Sequence, residues 1–301
     1  MKRKIISILL FFVIFIGLDR GIGKLVNIGL DQYFGLNQHS EVLLIGHSHL
    51  MLATDKKELE ARIGNKVSKY CREGVNVIDR YEMIKQYLSS PYSDSLKVIL
   101  YGVDQFMFTG KGLSENSYKL FYPFIDDSNI NQYIRQSTSI YDYWLHKLIC
   151  TTRYSDALLN SAIRGWKNDW SNYKEGKLNL ESLKKEINNR QQRQIHFETP
   201  LIQTFETTLQ LLTQQGIHVV LVNTPIAEIL NEYEPESYKK IIAYFQNKAA
   251  SSPLIHYWDM NLNFANRYEL FFDPIHLNPA GQKVINNQII EYFNKDFQSI
   301  Y

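Results

Sequence analysis

The stretch Glu41–Leu50, E-V-L-L-I-G-H-S-H-L, constrains the fold more than any other. Val42–Ile45 is wholly apolar and partly β-branched, which is the pattern of a strand covered on both faces of a parallel sheet. The run ends at Gly46 and delivers Ser48 between His47 and His49. Open α/β sheets hold ligands and reactive groups just past the carboxyl ends of their strands. Ser48 therefore stands where a nucleophile would. Ala53–Ile63, with Asp55 near its start and Leu52, Leu59 and Ile63 along one side, reads as the helix that follows a tight turn.

A second signal lies near the other end. Phe271–Ile285 reads F-F-D-P-I-H-L-N-P-A-G-Q-K-V-I, with Asp273 three residues before His276 and Pro274 stiffening the loop between them. That spacing lets the carboxylate meet one imidazole nitrogen and leaves the other free to act as a base. Pro279 then opens a closing helix, which Gly281 does not stop.

With both segments in view the chain resembles the SGNH or GDSL hydrolase superfamily. Gly46-His47-Ser48-His49-Leu50 is similar to its serine block, and Asp273-Pro274-Ile275-His276-Leu277 to its Asp-x-x-His block. The resemblance covers residues 41–109 and 199–296. More narrowly, the chain is similar to membrane-anchored bacterial members that handle acyl groups on envelope polymers, including D-alanyl lipoteichoic acid transfer proteins and polysaccharide O-acetyl-handling proteins. This implies Ser48 as nucleophile, His276 as base and Asp273 as its orienting carboxylate, with no cofactor.

The resemblance also implies an oxyanion hole built from the Ser48 N–H and the N–H of Gly74, which matches the second-block glycine. The third block of the family ends in a donor Asn, and here that place holds Asp104. An ionised carboxylate repels an oxyanion. The hole is then left with two donors, or Asp104 is aimed at substrate or at the insertion, or Asn76 or Gln105 supplies the missing donor, or catalysis is weak. His47 likewise stands where the family has Asp. Two readings follow: a serine-dependent acyl esterase or O-acyltransferase acting on acyl, foremost acetyl, groups of an envelope polysaccharide or glycan, or a non-catalytic glycan-binding or scaffold protein that partners a membrane acyltransferase.

His47 and His49, with Asp273 and His276, also offer zinc ligands. Side chains on either side of a turn residue need not converge, and a metal would take His276 from its role as base, so no metal is expected.

The remaining elements fit one architecture. Strands are expected at 66–70, 96–101, 218–222 and 255–258, with helices at 76–88, 204–215, 238–249 and 279–293. Five parallel strands with crossover helices make a flavodoxin-like three-layer α/β/α fold. Residues 105–198 interrupt it with dense aromatics (Phe106, Phe108, Phe121, Tyr122, Phe124, Tyr133, Tyr141, Tyr143, Trp144) and no strand pattern. They read as a mostly helical insertion beside the active face, a lid or acceptor wall, its aromatics forming its own core. Lys174–Gln194 reads as an exposed helix running into a linker.

At the N-terminus Met1-Lys2-Arg3-Lys4 precedes an apolar run, Ile5–Leu18. This is a signal anchor whose positive end stays in the cytoplasm, with the domain 41–301 outside it and 1–40 as anchor and juxtamembrane segment. No small-residue cleavage site follows, although a cleaved signal peptide and a buried helix are the alternatives. Fourteen apolar residues cover only about 21 Å against about 30 Å of hydrocarbon. With 33 basic and 31 acidic residues, nothing steers the chain to nucleic acid. The expected partners are an acylated glycan, the membrane and a membrane acyltransferase. Cys71 and Cys150 are either a disulfide or, as the simpler reading, two thiols.

Overall fold

Five short strands make one parallel sheet. β1 (Val42–Gly46), β2 (Val67–Cys71), β3 (Val98–Val103), β4 (His218–Asn223) and β5 (Ile255–Asp259) lie in the order β2-β1-β3-β4-β5, each pair of neighbours parallel. That is the flavodoxin-like order expected from the sequence. The computed structural model describes residues 2–110, 116–188 and 194–297.

In sequence, α1 (Lys2–Phe34) precedes β1, α2 (Ser48–Ala53) and α3 (Lys56–Ile63) join β1 to β2, and α4 (Val77–Leu88) joins β2 to β3. Between β3 and β4 come α5 (Ser128–Ser137), α6 (Ile140–Leu148), α7 (Asp156–Trp166), α8 (Leu180–Asn188) and α9 (Thr199–Gln214). Between β4 and β5 come α10 (Glu228–Asn231) and α11 (Pro235–Ala250). The chain then passes through α12 (Asn261–Phe264), an antiparallel pair β6 (Phe271–Asp273) and β7 (His276–Leu277), and α13 (Pro279–Phe297).

The helix expected at 53–63 is divided. Asp55 caps α3 by accepting the N–H groups of Lys57 and Glu58 at 2.9 and 3.1 Å, and Thr54 is extended. A carboxylate at such a cap outweighs continuation of the preceding helix, and the earlier helix begins at Ser48 itself. The β6–β7 pair has no sequence signal because two- and three-residue strands are too short to carry a period. Part of the polar stretch 174–194 lies outside the described residues.

The chain divides into two units, Met1–Asn37 with Asn116–Asp169 and Gln38–Glu115 with Trp170–Tyr301. In the first, α1 and α7 meet backbone to backbone: a Cβ on Gly29 would lie 2.5 Å from the Ala162 carbonyl oxygen, and one on Gly165 would lie 1.9 Å from that of Gly29. α1 is long and apolar enough to cross a membrane, and its apolar window is almost wholly exposed. Cys71 and Cys150 are both free, buried thiols, and burial pushes the Cys71 thiol up to about 12.

In the second unit every residue of β1, β2 and β3 is buried. Here two glycines, Gly46 at the end of β1 and Gly102 in β3, bring their Cα atoms to the floor beneath α2. A Cβ on Gly102 would sit 2.9 Å from the Cβ of Leu50, and one on Gly46 would sit 3.0 Å from it. The absent side chains let the first turn of α2 lie against the sheet. Gly102→Ala is expected to destabilise the protein by about 1–3 kcal/mol through overpacking. Urea unfolding of the variant checks this, and an unchanged midpoint would contradict the packing argument.

Candidate active site

β1 ends at Gly46, His47 is the cap of α2 and Ser48 is its first residue. His47 caps with its ring: Nδ1 accepts the N–H of His49 at 3.1 Å. An accepting Nδ1 cannot carry the ring proton, so the proton is on Nε2, where it is donated to Oδ2 of Asp104. Burial holds the His47 pKa down despite that carboxylate, in keeping with a neutral ring.

Asp104 is 3% exposed and accepts at both oxygens, from His47 at Oδ2 and from the N–H of Phe106 at Oδ1, 2.7 Å away. Burial pushes its carboxyl up, but His47, His49 and the Arg80 guanidinium outweigh burial and hold it well below the usual carboxylate range. Asp104 is therefore an ionised acceptor. Arg80, 1% exposed, donates from Nη1 to the Gly102 carbonyl at 2.7 Å.

Residues from the far end of the sequence complete the cluster. Nε2 of His276 lies 2.8 Å from Oγ of Ser48, and Nδ1 lies 2.7 Å from Oδ2 of Asp273. The other oxygen of Asp273 accepts the N–H groups of Ile275 and His276 at 3.0 and 2.9 Å. Burial raises the Asp273 carboxyl, while the bond and charge of His276 and these two N–H groups hold it below its ordinary value. An ionised Asp273 accepts a hydrogen bond from Nδ1–H, which leaves the Nε2 lone pair facing the serine hydroxyl.

A cleft of about 320 Å³ opens on this arrangement, and its lining includes His47, Ser48, Gly74, Asn76, Asp104 and His276. Gly74 has a φ of 76°, a conformation in which a side chain is strained and glycine is not. Asn76 caps α4 in a reciprocal box with Asp79: its Oδ1 accepts the Asp79 N–H at 3.0 Å, and its own N–H goes to the Asp79 carboxylate at 2.7 Å. Because Oδ1 is committed to the cap, the Asn76 amide group presents N–H donors on its other side. Gln105, the other candidate donor, spends its amide on the Leu230 carbonyl and does not line the cleft. Ser48, Gly74, Asn76, Asp104 and His276 thus line one cleft, and Asp273 is bonded behind His276 without lining it.

Sequence reasoning misses the residues that register the two halves. Asn172 donates from Nδ2 to the carbonyls of Leu277 at 2.9 Å and Leu52 at 3.2 Å, and so ties the His276 hairpin to α2. Its own N–H is held by Gln282 at 3.0 Å. Asn278 fixes the hairpin from the other side, donating to the Glu269 carbonyl at 2.9 Å. Only the box spacing Asn76-x-x-Asp79 carries a local signal. Asn172 shows only a local turn, its Oδ1 accepting the Lys174 N–H at 2.8 Å, while the carbonyls it ties together lie more than a hundred residues away.

The ring nitrogens of His47 and His49 and an oxygen of Asp104 lie within 4.8 Å of one another, a donor set that suits zinc. The fit fails at His47. With Nδ1 already accepting a hydrogen bond, a metal on Nε2 would displace the only ring proton and leave an anionic imidazole. Asp273 and His276, the other ligands weighed from sequence, bond each other and Ser48.

No family model matches the chain, and no curated protein matches it. Among solved structures it is similar to the C-terminal catalytic domain of Streptococcus pneumoniae peptidoglycan O-acetyltransferase A carrying a methylsulfonyl adduct, at 13% identity and a TM-score of 0.39, over 86% of this chain and 95% of that one. A family two carbohydrate esterase from Clostridium thermocellum aligns at 8% identity and a TM-score of 0.35, over 87% and 65% of the two chains. Likeness at this level is too weak to carry function across.

The double-acceptor role of Asp104 has a measurable consequence. Asp104→Asn can accept from either His47 or Phe106 but must turn an N–H₂ toward the other donor, leaving one buried N–H unpaired at a cost of about 1–3 kcal/mol. A carboxylate whose folded pKa is depressed stabilises the fold above its unfolded pKa, about 3.9, and loses that contribution as pH falls toward the folded value. The deficit of the variant should therefore be constant near neutrality and shrink below about pH 3.9. Chemical unfolding of both proteins across pH reads it, and equal stability at pH 7 would contradict it.

Proposed function

We propose that the protein is a serine-dependent acyl esterase or O-acyltransferase, acting on O-acyl, foremost O-acetyl, groups of an envelope polysaccharide or glycan. The observation that carries this reading is the continuous bonded line Asp273–His276–Ser48 opening on a cleft. Ser48 Oγ attacks the acyl carbon while His276 Nε2 takes its proton, and Asp273 stabilises the imidazolium that forms. The N–H groups of Ser48 and Gly74 and the side-chain amide of Asn76 face the developing oxyanion.

Collapse of the tetrahedral intermediate breaks the bond to the sugar oxygen. His276 returns its proton to that oxygen, leaving an acyl group on Ser48. Water or an acceptor hydroxyl then attacks, His276 takes the new proton and passes it to Ser48 Oγ, and the acid or the new ester departs. Phe106, Met107, Leu230 and Ile275 give the cleft an apolar wall, while Glu73 and Lys174 are polar groups suited to sugar hydroxyls. The positive N-terminus and the apolar α1 support a membrane-anchored enzyme with this unit outside the cytoplasm.

Fluorophosphonate labelling of the full chain in detergent, read by intact mass, should give one adduct on the wild type and none on Ser48→Ala or His276→Ala. Labelling of Ser48→Ala to the same extent would falsify the assignment. A folded wild type that takes no label would favour the non-catalytic glycan-binding reading.

Asn76→Asp separates capping from catalysis. Asp is as good a helix cap as Asn, so stability should hold while kcat for acetate release falls by about 10²–10³, the usual effect of losing one oxyanion donor. An unchanged kcat would remove Asn76 from the oxyanion hole.

A further inference from the structure

α6 carries an apolar stripe that nothing in its own unit covers. Ile140, Tyr141, Trp144 and Leu148 are 79, 73, 52 and 62% exposed, and at 3.6 residues per turn they fall within an arc of about 100°. The rest of the helix is anchored, by Lys147 at the flank of the stripe and by Tyr143 and His146 farther round. Lys147 bonds Asp126 at 2.7 Å, Tyr143 is buried, and His146 stacks on Tyr122 with ring centroids 3.8 Å apart.

The position of the stripe along α1 is fixed by a clamp at the end of the apolar run. Arg20 donates to the Leu148 carbonyl and to Cys150 Sγ, each at 3.1 Å. Asp19, 4% exposed, accepts the N–H groups of Cys150 and Thr151 at 2.7 and 2.8 Å and the Thr151 hydroxyl at 2.7 Å. The first charges after Leu18 are thereby bonded to protein groups, Asp19 buried and Arg20 exposed. Past them α1 presents Ile22, Leu25 and Ile28, between 44 and 59% exposed, together with Lys24, whose long stem lets its charge snorkel toward the headgroups.

We propose that the unit formed by α1 and residues 116–169 is embedded in the membrane interface, with the α6 stripe lying among the lipid headgroups and upper acyl chains at the carboxyl end of the span. This rests on α1 crossing the membrane and deepens that reading. A span ending at Leu18 covers about 21 Å, whereas one continuing to Leu25 covers about 32 Å and matches the hydrocarbon. The level of Arg20, where α6 ends, then lies several ångströms inside the boundary. That is the depth at which interfacial helices seat an apolar face, and Tyr141 and Trp144 are the side chains that this zone favours.

The test uses the full chain in vesicles of phosphatidylethanolamine and phosphatidylglycerol with bromine on the acyl chains near the headgroup, read by tryptophan fluorescence. Trp170 and Trp258 are buried and Trp166, 47% exposed, is common to every variant, so the difference between wild type and Trp144→Phe isolates one side chain. Bromine should quench wild type more than Trp144→Phe, and Tyr141→Trp in the Trp144→Phe background should restore the loss. Equal quenching of all three, in a chain that withstands alkaline extraction, overturns the interfacial seat while leaving the span intact, and the stripe then faces water, a second copy or another protein. Release of the chain by alkaline extraction overturns the span and the seat together.

Discussion

The candidate cleft depends on which ring nitrogen of His47 carries the proton. The residue lies between strand and helix, and both of its ring nitrogens are committed. Nδ1 receives the first turn of α2, and Nε2–H goes to Asp104. Neither bond survives an exchange of tautomer. The ionised carboxylate therefore does more than pair with a neighbour. By holding the proton at Nε2 it keeps Nδ1 free to cap, and a capped α2 presents Ser48 at its first residue. Arg80, bonded to the carbonyl of Gly102, is the fixed positive charge that helps keep Asp104 ionised despite burial. The two departures from the SGNH pattern, His47 and Asp104, thus meet in one bond.

A serine and a histidine more than two hundred residues apart are held at 2.8 Å, and backbone registry accounts for it. The hairpin that carries Asp273 and His276 is too short to fix itself. Side-chain amides do so by bonding main-chain carbonyls across elements, Asn172 to both α2 and β7 and Asn278 to the turn before β6. Each such bond contributes only about 1 kcal/mol net, but a buried carbonyl left without its donor costs about 1–3 kcal/mol. The network therefore selects one registry, and the penalty for leaving it exceeds the gain from any single contact.

The parts legible in the sequence are those carried by local pattern. Apolar runs mark β1, β3 and β4, the mixed β2 (V-S-K-Y-C) and β5 (I-H-Y-W-D) follow from the alternation of strands and helices, and the Asp273-x-x-His276 spacing marks a local hydrogen-bonded pair. The helix at 53–63 misleads because the apolar period continues through Thr54 and Asp55, and periodicity cannot see that a carboxylate prefers to cap. Asp104 looks like a fault in an oxyanion hole, since the sequence shows a missing donor and not the second donor that requires an acceptor there. Asn172 stays invisible for the reason that it matters: the carbonyls its side chain joins are distant in the chain.

Asp19 shows the same limit at the N-terminus. A charge immediately after an apolar run ordinarily marks where a membrane segment stops, because a carboxylate in hydrocarbon is costly. That inference treats the helix as if lipid surrounded it on every side. Two backbone N–H groups and a hydroxyl meet Asp19, so its charge faces protein donors and not lipid. The exposed Lys24 that follows carries its charge on a long stem that can reach the headgroups, so the apolar surface of α1 can extend past it. The length of a span is a property of the helix together with whatever packs against it.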